Sequence, residues 1–422
     1  MSADGVYRRT LRVLMVSQVL AGAGLAAGVV VGALLAEEMV GSTGSAGLPA
    51  ALFTLGSAAA AAAVGRVSQR SGRRAGLAAG YAVGALGGAG VVLAAAVDSV
   101  PLLFASLLLY GSGTATSLQA RYAGADLAAP ERRGRAVSIV LVATTLGAVI
   151  GPNLVEPTGA LADWLGIREL AGPFLLATCA YALAAVAVLV LLRPDPLLTA
   201  RALQRAGAPD PTALVDSDAD GSRSALRLAA TAMVMTQIVM VAVMTMTPIH
   251  MRDHGHSLSA AGLVISVHIA AMYLPSPLTG LLVDRVGRRP VLAGAGVTLL
   301  SAGLLAATAP AESVVLLAVA LGLLGLGWNF GLVAGTAMVT DAVPLSRRAR
   351  TQGSVDLAVA LSGATGGMSS GFVVAATSYA ALSLAGGVVA LAILPVLLSE
   401  RRRSASRSNA LGAVVADRPS AP

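Results

Sequence analysis

Two pairs of side chains with the same spacing could bind a soft metal ion. Met240 and Met244 lie four residues apart in one apolar stretch, and His268 and Met272 lie four apart in the next. Residues at positions i and i+4 share one face of a helix. Thioether and imidazole ligands without thiolate or carboxylate suit Cu(I), because soft sulfur selects that ion. These four residues therefore predict a ladder of Cu(I) ligands.

Methionine and histidine are concentrated around these pairs. Seven of the twelve methionines fall between residues 233 and 272, and all four histidines fall between 250 and 268. Four of these residues are expected in an entry loop at the outer mouth: His250, Met251, His254 and His256. The alternative interpretation is that methionine fills gaps in helix packing and that His268 is a hydrogen-bonded gate or proton relay.

The elements that carry these residues are membrane-spanning helices. Charged residues make up only 12% of the 422-residue chain, too few to cover the surface of a soluble domain. A helix needs about 20 apolar residues to cross a bilayer. Twelve such stretches, spans 1 to 12, lie near residues 12–35, 46–65, 75–97, 100–122, 136–157, 171–192, 227–249, 257–283, 290–309, 313–337, 353–374 and 378–399. The sequence therefore predicts an all-α polytopic membrane protein of two six-helix bundles.

The placement of arginine predicts the topology. The chain has 29 basic residues, all arginine, and only Arg168 and Arg252 fall in segments assigned to the outside. The positive-inside rule then places both termini in the cytoplasm and the protein in the plasma membrane. The basic balance suits the anionic inner leaflet of a bilayer and does not indicate a nucleic-acid partner. Cys179 is the only cysteine, so no intramolecular disulfide can form.

The two bundles are related by an internal repeat. A Pro-, Asp- and Arg-rich stretch at 193–226 separates a first bundle (1–192) from a second (227–399), and a disordered cytoplasmic tail (400–422) is expected. When the sequence is shifted by 215 residues, GRVSQRSGRR (65–74) falls on GLLVDRVGRR (280–289), and Asp126 falls on Asp341. We interpret this as a tandem duplication.

GLLVDRVGRR resembles the loop signature of the major facilitator superfamily, and GRVSQRSGRR is its degenerate copy. The resemblance implies two bundles around a cavity near the middle of the membrane, open to each side in turn. We expect Asp284 to cap a helix of the opposite half, while Gln69 stands where the family usually has an acid. We also expect Arg70 to pair with Asp126 and Arg285 with Asp341. The full latch is expected to comprise Gly65, Gln69, Arg70, Gly72, Arg73, Asp126, Gly280, Asp284, Arg285, Gly287, Arg288 and Asp341.

The Met/His pairs resemble those of the CcoA-like copper importers, a branch of this superfamily with MxxxM on helix 7 and HxxxM on helix 8. This resemblance implies Cu(I) uptake through the ladder. Three other polar residues lie on spans that line the cavity in this family and are expected to bind substrate: Gln18, Gln119 and Asn329.

Two alternatives to copper uptake stay open. GAVIGPNLVE in span 5 resembles the drug/proton antiporters and implies proton-coupled efflux of a small hydrophobic compound; uptake of another small solute is the third possibility. The antiporter's membrane arginine is replaced by Leu107, and we expect Arg121 and Asp356 near the inner surface, so no acid is predicted at the midplane.

The chain carries no pattern typical of an enzyme. It has no phosphate loop, nucleophile–base set or carboxylate pair. We therefore expect no catalysis and no resident cofactor, and a monomer whose partners are the transported solute and the lipid bilayer.

Overall fold

The computed structural model describes residues 3–26, 31–40, 47–206 and 219–393, and almost all of them are helical. The first half contains α1 (Ala3–Ala26), α2 (Gly32–Val40), α3 (Gly47–Ser71), α4 (Arg73–Ala96), α5 (Val100–Ala125), α6 (Arg133–Asn153), α7 (Val155–Trp164) and α8 (Gly172–Leu191). After α9 (Pro196–Ala206), the second half contains α10 (Ala219–Asp253), α11 (Leu258–Tyr273), α12 (Ser276–Val286), α13 (Arg288–Thr308), α14 (Val314–Ala342), α15 (Arg348–Ala376) and α16 (Tyr379–Leu391). The predicted tail lies outside the described residues.

The helices follow the predicted spans, with some divided or extended. Nine helical segments among the described residues are long and apolar enough to cross a membrane. Span 5 is divided into α6 and α7, and span 8 into α11 and α12, where the sequence predicts single helices. The break in span 8 contains Pro275 and precedes Pro277, and proline both lacks an N–H and clashes with the preceding turn. α9 lies inside the predicted linker, and α10 begins eight residues before the predicted boundary at 227.

Each half packs around its own apolar core. In the first half, the Tyr110 ring contacts the rings of Phe174 at 5.3 Å and Tyr181 at 5.6 Å. In the second half, α14 is central: α11 packs mainly against α14, whereas α10 packs mainly against α14, α15 and α16. The contact between α10 and α11, which carry the two Met/His pairs, is small by comparison.

The halves meet at one end of the molecule, where α3 crosses α15 and α6 crosses α12. We call this end, which carries Arg73, Arg133 and Arg288, the arginine-rich face. Every hydrogen bond that the described residues form between the halves lies within about three helical turns of it. The two halves are therefore closed against each other at the arginine-rich face.

At the opposite face, the polar contacts of the described residues stay within one half. Arg168 donates hydrogen bonds to Glu38 at 2.6 Å and to Asp98 at 2.9 Å, and all three residues belong to the first half. These bonds raise the pKa of Arg168, and the bond to Glu38 makes the larger contribution. Because the groups are well exposed to solvent, the bridge contributes little to stability.

Candidate functional site

A cavity of about 50 Å³ lies between the two halves, about 16 Å from the arginine-rich ends of α5 and α6. Six lining residues come from α1, α5 and α6, and one from α11: Gln18, Thr114, Ser117, Leu118, Leu141, Thr144 and Tyr273. The described lining offers hydroxyl, amide and phenol groups but no carboxylate, ammonium or guanidinium. The cavity is thus polar without being charged.

Gln18, predicted to bind substrate, does line this cavity. Its amide nitrogen donates to the Ser117 carbonyl and the Thr144 hydroxyl, both at 2.9 Å, and its oxygen accepts from the Tyr81 hydroxyl at 2.7 Å. The side chain is only 1% exposed. Gln18 therefore joins four helices of the first half and holds the Thr144 hydroxyl at the cavity wall.

Tyr273 is the second-half residue of the cavity lining, and Trp328 packs against it. The Tyr273 and Trp328 rings meet edge to face with centroids 5.8 Å apart, and the Trp328 indole N–H donates to the Gln237 amide oxygen at 2.6 Å. Neither Tyr273 nor Gln237 is among the residues predicted from the sequence to bind substrate. The signal for both was available, because each is a polar residue within the apolar runs of spans 7 and 8.

The other two predicted substrate ligands are used in helix packing. Gln119 donates to the Ala61 carbonyl of α3 at 2.5 Å and does not belong to the cavity lining. The Asn329 amide donates to the Met272 carbonyl and the Ser276 hydroxyl, both at 2.7 Å, and accepts from Thr279 at 2.6 Å. These bonds satisfy backbone and side-chain groups at the break between α11 and α12. Both amides are fully buried.

The Met/His pairs lie in the apolar core of the second half. Met240 and Met272 are 4% and 8% exposed, and Met244 is half-buried. His268 is fully buried, and its Nδ1 lies 2.8 Å from the Leu321 carbonyl of α14. Its Nε2 has no hydrogen-bond partner among the described residues. None of the four lines the cavity between the halves.

The predicted entry loop is mostly helical, which corrects the sequence interpretation. α10 continues past Pro248 to Asp253, so His250 and Met251 belong to its last turns. Met251 is fully buried and cannot meet an ion at the surface. His250 stacks on Tyr379 at 4.3 Å. The two remaining histidines follow: His254 is exposed with Nδ1 2.8 Å from the His250 carbonyl, and His256 binds the Ala311 carbonyl at 2.7 Å.

The loop signatures cap helices of the opposite half. Asp284 accepts hydrogen bonds from the backbone N–H groups of Gly134 at 2.8 Å and Arg135 at 2.9 Å, in the first turn of α6. At the equivalent position, the Gln69 amide oxygen accepts two N–H groups in the first turn of α15, at 2.8 and 3.3 Å. The first N–H groups of a helix have no partner within it. The contact expected for Asp284 is present, and Gln69 makes its counterpart.

Gln69 also binds backbone carbonyls, together with the linker helix. Its amide nitrogen donates to the carbonyls of Leu345 at 3.2 Å and Ser346 at 2.6 Å. Arg201 of α9 donates to the Leu345 carbonyl and to the Gln69 carbonyl, both at 3.1 Å. α9 therefore bridges the two halves at the arginine-rich face.

The ion pair within the first half differs from the predicted one. Asp126 pairs with Arg73 at 2.7 Å, not with Arg70, and both side chains are fully buried. Gly72, with φ of 91°, ends the turn between α3 and α4, so Arg73 begins a new helix directed at the end of α5. Arg73 also donates to Gln352 of the second half.

The second half repeats this correction. Asp341 pairs with Arg288 at 2.9 Å, not with Arg285, after a turn at Gly287 with φ of 103°. Arg133 of the first half contacts the same carboxylate. The two arrangements show the 215-residue repeat in three dimensions.

Two glycines of the signatures allow close crossing of the halves. A Cβ atom at Gly65 would lie 2.8 Å from the Gly353 Cα, and one at Gly280 would lie 2.6 Å from the Gly134 carbonyl oxygen. Such distances exclude larger side chains unless the backbone moves.

Comparison with known proteins agrees with this architecture. The family model described as "Major Facilitator Superfamily" matches residues 14–250 and 228–420. The chain belongs to the major facilitator superfamily. Its relatives include the "uncharacterized MFS-type transporter YdeG" of Bacillus subtilis, 56% identical over 94% of this chain and 93% of the relative. The "riboflavin transporter RfnT" of Brucella anthropi is 30% identical over 94% of this chain and 98% of the relative.

Solved structures of the superfamily show the same fold. The human organic anion transporter MFSD10 gives a TM-score of 0.73 at 17% identity, covering 93% of this chain and 99% of that one. The transporter FucP, in the outward conformation, gives 0.69 at 16% identity, covering 94% and 99%. This protein is thus a polytopic major facilitator superfamily transporter. None of these relatives' names refers to copper, so the CcoA-like resemblance gains no support from them.

One ion pair between the halves is not predicted from the sequence of this superfamily member. Arg121 and Asp356, expected near the inner surface, form a buried ion pair between the halves, with Arg121 Nη2 2.6 Å from Asp356 Oδ1. Tyr122 donates to the same carboxylate at 3.2 Å, and Arg121 Nε donates to Thr336 at 2.9 Å. The sequence does contain a signal for this pair: a positive charge, Arg121, lies in an apolar run of the first half, and a negative charge, Asp356, lies in an apolar run of the second half.

Proposed function

We propose that this transporter carries a small, uncharged, ring-containing solute of the flavin type across the plasma membrane by alternating access. The observation that carries the proposal is the uncharged polar cavity between the halves, with the Tyr273 ring at its second-half side and Trp328 packed against that ring. The name of the relative RfnT, a riboflavin transporter, supports the same class of solute.

The chemistry of the site favours such a solute. Hydroxyl and amide groups offer hydrogen bonds to a polar ring edge without requiring a charge on the ligand. Aromatic side chains add offset or edge-to-face contacts with a ring. At about 50 Å³ the closed cavity holds only the edge of a flavin, so the two halves would have to move apart to accommodate the rest of the solute.

The sidedness of the molecule is part of the proposal. Because arginine is retained on the cytoplasmic side, we assign the arginine-rich face to the cytoplasm. The conformation is then closed to the cytoplasm, and the helix caps at Asp284 and Gln69 act as the latch that keeps it closed.

Transport of radiolabelled riboflavin into liposomes containing the purified protein tests the substrate class. We expect uptake above that of empty liposomes, and a roughly fivefold rise in KM for Trp328→Ala, because the Trp328 ring packs against Tyr273 and holds it at the cavity. Trp164→Ala is the matched control, because Trp164 is 80% exposed and remote from the site. Absence of riboflavin transport by the wild type, or equal losses in both variants, would reject the proposal.

Copper uptake is the second candidate, and the unpartnered Nε2 of the buried His268 favours it. That nitrogen is a free donor or ligand position, one helical turn from Met272 on the same helix. Copper accumulation in cells expressing a Met240→Leu, His268→Ala double variant tests this candidate. Loss of accumulation relative to Met233→Leu, a methionine packed on Gly335, supports copper; equal accumulation removes it.

A further inference from the structure

The ion pair between Arg121 and Asp356 joins the two halves in a buried setting. The Arg121 and Asp356 side chains are 1% and 8% exposed. A second contact, from Arg121 Nη1 to Asp356 Oδ2 at 3.4 Å, makes the pair two-pronged. Arg121 belongs to α5 and Asp356 to α15, so any separation of the halves at the arginine-rich face must break it.

The two partners differ in what remains when the halves separate. Arg121 keeps contacts within its own half, because it donates to the Leu118 carbonyl and lies over the Tyr122 ring at 4.3 Å. Asp356 has no such alternative among the described residues, since Arg121 and Tyr122 are its hydrogen-bond partners and both belong to the first half. A buried carboxylate without a partner is strongly disfavoured, whereas its protonated form is tolerated.

The neighbouring pair of Arg73 and Asp126 provides an internal contrast. It is equally buried, but both residues belong to the first half and move together. Opening the arginine-rich face therefore leaves that pair intact. Of these two buried pairs, only the one with Asp356 must be broken in each transport cycle.

We propose that Asp356 is the proton-binding site that couples transport to a proton gradient. One proton from the side of the cavity between the halves adds to the Asp356 carboxylate, giving a neutral carboxylic acid and releasing Arg121. The halves can then separate at the arginine-rich face, and the proton leaves Asp356 on that side. Re-formation of the pair closes the face again. The proposal rests on the alternating access proposed above and adds its coupling ion.

The cavity in the middle of the molecule adjoins this pair through one residue. The cavity between the halves is lined by Ser117 and by Leu118, the residue whose carbonyl accepts from Arg121. A volume of about 50 Å³ has room for more than one water molecule. Hydroxyl groups and water can pass a proton from this cavity toward Asp356.

The other titratable and charged groups around the pair do not replace Asp356 as a proton acceptor. Tyr122 of α5 and Tyr273 of α11 interact electrostatically with the pair, and Arg73 of α4 lies over the Tyr122 ring. Thr336 of α14 accepts from Arg121 and carries no charge. The arginines in the parts of α3 and α10 near the arginine-rich face are exposed: Arg66, Arg70, Arg223 and Arg227. Arginines stay protonated, and both tyrosines are neutral over the range tested.

A pH titration of the opening of the arginine-rich face tests the proposal without any substrate. Nitroxide labels at Ser71→Cys and Arg350→Cys, both exposed positions on opposite halves, are introduced into a Cys179→Ala background. Pulsed EPR then gives the label-to-label distance distribution from about pH 8 to about pH 5. This readout can fail while riboflavin transport succeeds, and the reverse, so the two proposals are tested separately.

The expected result is a growing long-distance population as the pH falls. For one linked proton, the ratio of open to closed protein changes by up to about tenfold per pH unit. Asp356→Asn should be open across the whole range and lose the pH dependence. Asp126→Asn, the matched variant of the pair within one half, should retain it.

If the Asp356→Asn protein does not fold, a second variant keeps the proposal testable. The double variant Arg121→Gln, Asp356→Asn removes both charges of the pair, and it should show the same pH-independent opening. Three results overturn the proposal: no pH response in the wild type, an unchanged response in the Asp356 variants, or loss of the response in Asp126→Asn alone.

Discussion

The residues at positions 69 and 284 occupy equivalent places in the two halves but differ in chemistry. Asp284 only accepts hydrogen bonds, from the first turn of α6. Gln69 accepts from the first turn of α15 and also donates to the carbonyls of Leu345 and Ser346. A carboxylate cannot donate, so an acid at position 69 would face two carbonyl oxygens. This explains why glutamine stands where the family usually has an acid.

We predict that Gln69→Glu opens the arginine-rich face, although it restores the family's acid. Two donated hydrogen bonds are lost, each of which contributes about 0.5–1.5 kcal/mol. The labels at positions 71 and 350 should show a larger long-distance population than in the wild type. A Gln69→Glu protein that closes as well as the wild type would show that the charge on the helix start matters more than the carbonyl contacts.

Asn329 illustrates how a polar residue in a cavity-lining span can serve the fold. Its fully buried amide makes three hydrogen bonds at the break between α11 and α12. Asn329→Leu leaves the Met272 carbonyl and the Ser276 hydroxyl without these partners, at a cost of about 1–3 kcal/mol for each buried group.

We therefore expect Asn329→Leu to lower the melting temperature in detergent while the remaining folded protein keeps the wild-type KM. Ser301→Ala, a substitution at an exposed serine bonded only within its own helix, is the control. An unchanged melting temperature combined with a raised KM would instead assign Asn329 to substrate binding.

At the scale of helices, the sequence predicts where spans lie better than what they face. Apolar runs and the 215-residue repeat predict the succession of spans, because crossing a bilayer requires length and hydrophobicity alone. A shared i, i+4 face places His268 and Met272 together but does not say which neighbour they contact. The structure directs His268 toward α14 rather than α10. The break in span 8 also escaped prediction, since an average hydropathy is insensitive to one lost turn.

The linker was predicted as a simple connection, and its helix α9 has a contact role that composition does not reveal. Arg201 is half-buried and binds carbonyls of both halves, whereas Arg205 on the same helix is exposed. A hydrogen bond from a charged donor contributes about 1.5–3 kcal/mol. Because Arg201 binds both carbonyls only while the halves are close, its pair of bonds stabilises the closed state.

We predict that Arg201→Ala increases the long-distance population between the labels at positions 71 and 350, and that Arg205→Ala does not. Both variants lose one positive charge from the same helix, so a charge effect alone would give equal shifts. Equal shifts would remove α9 from the closing mechanism.

For the whole molecule, the contacts that join the halves are those that a single sequence predicts least well. Arg121 and Asp356 are 235 residues apart and belong to different halves of the repeat. The 215-residue shift identifies positions that are equivalent in the two halves. It does not predict which helix of one half contacts which helix of the other, so it gives no information on the contact between α5 and α15. Depth along a span could be counted from the sequence, but burial between the bundles depends on how the two bundles dock.

The closed state also requires that the backbones of α3 and α15 come into direct contact where the two helices cross. A Cβ atom at Gly353 would lie 2.6 Å from the Ala61 carbonyl oxygen and 2.9 Å from the Gly65 Cα, all on backbone that cannot rotate away. Gly353→Val should therefore hold α3 and α15 apart, whereas Gly371→Val on the same helix α15 meets nothing within 4 Å. Both changes insert the same side chain, so their intrinsic effects on α15 are similar.

We expect Gly353→Val to be open at the arginine-rich face at every pH and to lose net transport while still folding, and Gly371→Val to match the wild type. A Gly353→Val protein with wild-type label distances would show that the halves close without this crossing.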